Sequence, residues 1–69
     1  MWKKIETSET IFKIQVGDKV SQNPNDPLSE FVTKIIHNGY ISIVGGKSKN
    51  FVRLLPLDLL VRDNWWTKP

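Results

Sequence analysis

At 69 residues the chain is long enough for one domain, near the lower limit of what folds without staples, and it has no cysteine to supply one. Disulfides and thiolate metal sites are therefore excluded, and a reducing, cytoplasmic setting fits the composition. Residues 1–30 hold four basic and five acidic side chains and residues 31–69 six basic and two acidic, so the net charge of +3 comes from the second part and points toward an acidic partner.

Alanine is missing, and Ile, Leu, Val, Phe and Trp carry nearly all the apolar content, a composition that leans toward strand. Met1-Trp2-Lys3-Lys4-Ile5-Glu6 has no apolar run behind it, so no signal peptide is expected. No apolar stretch approaches the ~18 residues of a membrane span. Residues 1–10 read as a polar arm or an extra edge strand. In Ile11-Phe12-Lys13-Ile14-Gln15-Val16, Phe12, Ile14 and Val16 alternate with Lys13 and Gln15, which predicts a first strand. Gly17-Asp18 breaks it as a turn, and Lys19-Val20-Ser21 resumes an extended segment. Pro24 and Pro27, set among Asn and Asp, make residues 22–29 a loop.

Phe31-Val32-Thr33-Lys34-Ile35-Ile36 and Tyr40-Ile41-Ser42-Ile43-Val44 are strand-like runs separated by His37-Asn38-Gly39. An Asn-Gly pair in that position predicts a tight hairpin, because a type I′ turn needs positive φ at both central residues. Gly45 to Asn50 forms a longer turn into a third meander strand, Phe51-Val52-Arg53-Leu54-Leu55. Pro56 ends that strand. Pro56 to Leu60 is expected as one buried 3₁₀ turn, with a short last strand near Val61-Arg62 and a tail over 65–69.

The segment from Val16-Gly17-Asp18-Lys19-Val20 to Val61-Arg62 resembles an SH3-like barrel of the KOW, Tudor and related bacterial type. Such domains open with a Gly-Asp-x-Val strand and place a one-turn helix before their last strand. The resemblance implies an all-β, small five-stranded barrel over residues 11–64 with one 3₁₀ turn before the last strand. It covers about 45 residues, is one of pattern rather than motif, and carries over no binding residues.

An enzyme is not expected. The single histidine, His37, sits at a hairpin tip, where a solvated side chain is the ordinary outcome. No cysteine nucleophile exists, and the serines have no motif to activate them. The carboxylates are scattered without metal-ligand spacing, so no metal, cofactor or small-molecule substrate is expected. Gly46-Lys47-Ser48 echoes the end of a phosphate-binding loop, but Ile41 stands where that loop's first glycine belongs, and no helix follows.

Two binding functions remain. Lys47 and Lys49 flank Ser48 on a glycine loop, and Arg53 and Lys34 lie on the neighbouring strands. With Val32, Lys34 and Ile36 on one face and Arg53 aligned with Phe51 and Leu55, a positive stripe beside Tyr40 would suit nucleic acid, through phosphate contacts and base stacking. The bland alternative is a hairpin whose lysines blunt a sheet edge. Trp65-Trp66 is the second feature. Adjacent strand residues point to opposite faces, so one tryptophan would cover the barrel end with Trp2 and the other would be exposed. Trp2, Trp65 and Trp66 then become the candidate surface for a protein partner or a homo-oligomer.

Overall fold

A computed structural model describes residues 1–48 and 50–69. These residues are mostly sheet, with six antiparallel strands among them in one sheet ordered β1-β6-β2-β3-β4-β5. The strands are β1 (Lys3–Lys4), β2 (Lys19–Ser21), β3 (Phe31–His37), β4 (Tyr40–Gly45), β5 (Phe51–Pro56) and β6 (Trp66–Lys68). Two short helices, α1 (Ser8–Phe12) and α2 (Leu59–Arg62), touch each other, and α2 lies against β5. The sheet stays open: among the described residues β1 pairs only with β6, and β5 only with β4. All-β architecture is as expected, with six strands among the described residues where five were expected, in a sheet that does not close. Among the described residues no helix is long and apolar enough to cross a membrane.

The expected strand over Ile11–Val16 is a helix and a turn instead. Thr7 caps α1, its Oγ1 accepting from the Thr10 N–H at 3.4 Å. Glu9 lies in the first turn and pairs with Lys13 four residues on. Ile11 and Ile14, three apart, enter the core, while Phe12 and Val16 face solvent. The spacing of three overrides the spacing of two, because only the first places two isoleucines inside.

Gly17 and Asp18 turn the chain back against β3, with Gly17 N donating to the Thr33 carbonyl and Thr33 N to the Asp18 carbonyl, both at 2.9 Å. The proline-containing loop contains a 3₁₀ turn at Pro27–Ser29, capped by Asp26, which accepts from Leu28 N and from the Ser29 hydroxyl. The hairpin at Asn38-Gly39 forms as expected, with φ of 51° and 79°.

Beyond Pro56 the expected 3₁₀ turn and the strand near Val61 give way to α2. Asn64, at φ 59°, closes this helix: Asn64 N donates to the Val61 carbonyl at 3.3 Å and Trp65 N to the Leu60 carbonyl at 3.0 Å. These are the two bonds of a Schellman stop, whose usual apolar partner contact unites Leu60 with Trp65 in the same core. The residues after this stop, expected as a tail, form β6, which lies between β1 and β2.

The core joins Ile5, Ile11, Ile14, Val20, Phe31, Ile41, Ile43, Leu55, Leu60 and Trp65. It also holds Thr33, fully buried, with an Oγ1 that has no hydrogen-bond partner. Thr33→Val removes that orphaned hydroxyl at nearly constant shape. It is expected to raise stability by about 1 kcal/mol and the calorimetric unfolding midpoint by about 5 °C for a domain this small. An unchanged or lower midpoint would mean that the hydroxyl finds a partner.

Candidate functional site

The register of the β3–β4–β5 meander sorts its side chains into two faces. Toward the core run three rows: Phe31, Gly45 and Phe51; then Thr33, Ile43 and Arg53; then Ile36, Ile41 and Leu55. The opposite face carries Val32, Val44 and Val52; then Ile35, Ser42 and Leu54; then His37, Tyr40 and Pro56. A bulge between Thr33 and Ile35 makes this sorting possible. Lys34 is the extra residue, exposed and unpaired, and beyond it Ile35 turns outward and Ile36 inward. The expected alignment of Val32, Lys34 and Ile36 on one face is therefore corrected.

The outer face departs from the usual economy of an antiparallel sheet, which alternates apolar inside with polar outside. Tyr40, Ile35, Val52 and Leu54 are 49 %, 59 %, 60 % and 69 % exposed. With His37, Asn38 and Ser42 they line one shallow depression. Single exposed apolar residues are ordinary, but a contiguous patch marks a contact surface. The patch runs to the open edge of β5, whose outer backbone groups have no strand beside them.

On the other side, a recess of about 220 Å³ opens between the 22–30 loop and the Gly45-Gly46 turn. Gln22, Leu28, Ser29, Phe31, Gly46, Lys47, Arg53 and Trp65 line it. Gly46 N donates to the Glu30 carbonyl at 2.9 Å, which fastens the turn to the start of β3. The Arg53 guanidinium carbon lies 5.8 Å from the Phe31 ring centre and 5.4 Å from a Trp65 ring centre. Those two rings pack at 6.0 Å with a 59° tilt. Stacking on two buried rings holds a guanidinium in place and leaves its N–H fork for another group. Among the described residues the ion pairs are Glu9–Lys13, Lys19–Glu30 and Asp58–Arg62, so Arg53 has no carboxylate. Trp65 Nε1 is buried and donates to nothing.

The structure thus brings Arg53 and Lys47 together and leaves the other expected residues elsewhere. Lys34 stands at the bulge, Tyr40 lies on the outer face, and Lys49 lies outside the described residues. Trp65 is 1 % exposed and belongs to the core, so of the expected Trp65-Trp66 surface only Trp66 reaches solvent. Trp66 is half-buried in β6. Trp2 is half-buried too, with Lys68 Nζ 4.8 Å from its ring centre.

The sequence does carry a signal for the missed outer residues, Ile35, Val52 and Leu54. Phe51 to Leu55 is apolar at every position except Arg53, and a strand apolar at both parities is one that has something to cover on both faces. Among the described residues no cluster of His, Asp and Glu could hold a metal ion. No family model matches the chain, and neither a curated protein nor a solved structure matches it.

Proposed function

We propose that this chain is a non-enzymatic binding module that associates with a second copy of itself through the outer face of the β3–β4–β5 meander. The observation that carries this is the contiguous exposure of Ile35, Tyr40, Val52 and Leu54 on one sheet face. A two-fold dimer sets the same patch against itself, so a self-associating patch must be free of like charge. None of the paired outer positions carries Asp, Glu, Lys or Arg, and Lys34 sits at the bulge beside them. The fold is read as SH3-like. Support for this comes from the order β6-β2-β3-β4-β5, the helical turn before the last strand, and the Gly17-Asp18 opening, with β1 added outside β6.

Sedimentation velocity over a concentration series tests the association. The wild-type chain is expected to shift from monomer to dimer in the micromolar range. Leu54→Lys is expected to stay monomeric, with an unfolding midpoint close to wild type because the position is exposed. A wild-type chain that remains monomeric at millimolar concentration would overturn self-association.

A further inference from the structure

We infer that the recess on the other side of the meander receives a phosphate group of single-stranded nucleic acid, gripped by Arg53 and Lys47, with an adjacent base stacked on Phe51. The site differs from the outer face in every residue, so it does not depend on self-association. Its charge is the first argument. Two cations converge on a concave surface with no carboxylate in its lining, and Arg53 has no ion-pair partner among the described residues. Phosphate oxygens accept from both an arginine fork and a lysine.

Geometry is the second argument. Stacking on Phe31 and Trp65 fixes the Arg53 guanidinium before any ligand arrives, which lowers the ordering cost of binding. The Trp65 indole N–H, which lines the same recess, is a sealed donor without an acceptor. The aromatic neighbour is the third argument. Phe51 lies on the same face of β5 as Arg53, two residues before it, and is 56 % exposed. An open aromatic ring beside a phosphate grip suits a nucleotide, because bases stack on aromatic side chains.

The test is an NMR titration of the full ¹⁵N-labelled chain with inorganic phosphate, 5′-phosphorylated and unphosphorylated oligothymidine, a phosphoserine peptide and acetate. Oligothymidine is expected to shift the Trp65 indole and the Phe51 and Arg53 amide resonances. With one phosphate of a single strand neutralised, its affinity should fall roughly two- to threefold between 50 and 200 mM salt. Lys47→Gln, at an exposed loop position, should weaken binding severalfold without lowering the unfolding midpoint. Arg53→Gln should abolish binding, and it is read beside Lys47→Gln in case the half-buried site tolerates it poorly. Phe51→Ala should weaken oligothymidine and leave inorganic phosphate unaffected. A stronger effect of the 5′-phosphorylated strand would place a terminal phosphate in the recess, and equal binding of both strands a backbone phosphate. Either result supports the site. Indole shifts as large with acetate as with phosphate, tighter binding of the phosphoserine peptide with indifference to Phe51→Ala, or no response to oligothymidine would each overturn it.

Discussion

Trp65→Ala is expected to unfold the domain, whereas Trp66→Ala, one residue on, is expected to leave it folded. Trp65 is the largest fully buried side chain, and it meets Phe31, Arg53 and the C-terminal end of α2 at once. Truncating such a residue costs about 3–5 kcal/mol, from lost transfer energy plus the cavity left behind. A domain this size has only about 3–10 kcal/mol in total. The loss therefore takes most or all of the stability, and Arg53 also loses one of the two rings it stacks on. Trp66 is half-buried in β6, so its truncation should cost less, on the order of 1 kcal/mol. Circular dichroism and amide dispersion in NMR spectra would distinguish the two. A cooperative transition in Trp65→Ala within a few degrees of wild type would show that the core is not centred on this ring. Trp65→Phe is the informative intermediate: it loses volume but also removes the buried, unpartnered indole N–H.

The Trp65-Trp66 pair shows where sequence reasoning reached and where it stopped. Alternation along a strand implies one covered and one exposed ring without saying which goes in; Trp65, just outside β6, is buried and Trp66 half-buried. That is decided by Asn64, whose left-handed conformation ends α2 and aims Trp65 at the core beside Leu60. Leu59 to Arg62 is too short for helical periodicity to appear. Only the Asn before the tryptophans signals the stop, and without the helix it reads as a loop residue. The N-terminal helix was hidden for a related reason: over six residues, Ile11-Phe12-Lys13-Ile14-Gln15-Val16 satisfies a period of two as well as a contact three apart. The hairpin was legible because Asn38-Gly39 fixes a backbone shape locally, with no help from the rest of the fold. Arg53 and Lys47 were recognisable by chemistry, but their pocket depends on Phe31 and Trp65, which are distant in the sequence. The apolar outer face was obscured by one bulge, since the extra residue at Lys34 reverses the facing of Ile35 and Ile36.

Gly45→Ala is expected to be the second most damaging change, despite adding a single methyl group. Gly45 closes the β3–β4 ladder opposite Phe31 and also faces Phe51 on β5. Its φ is +147°, which L side chains rarely adopt, and a Cβ there would sit 2.5 Å from the Glu30 carbonyl oxygen and 3.0 Å from the Phe31 Cα. Both obstacles are backbone, so no side chain can swing aside. Relief requires β4 to move away from β3, which strains the adjoining Gly46 N–H bond to Glu30 and loosens one wall of the Arg53 recess. Backbone strain of this kind costs about 1–3 kcal/mol, and the clash adds to it. Gly17→Ala and Gly39→Ala are the controls: both residues have positive φ, but a Cβ at either meets nothing within 4 Å. They should lose on the order of 1 kcal/mol, and denaturant midpoints should rank Gly45→Ala well below both. If the recess binds oligothymidine, Gly45→Ala should weaken that binding even under conditions where the variant is fully folded, while the two controls leave it intact. Equal midpoints for all three variants would show that the close approach of Gly45 to β3 is not a constraint on the fold.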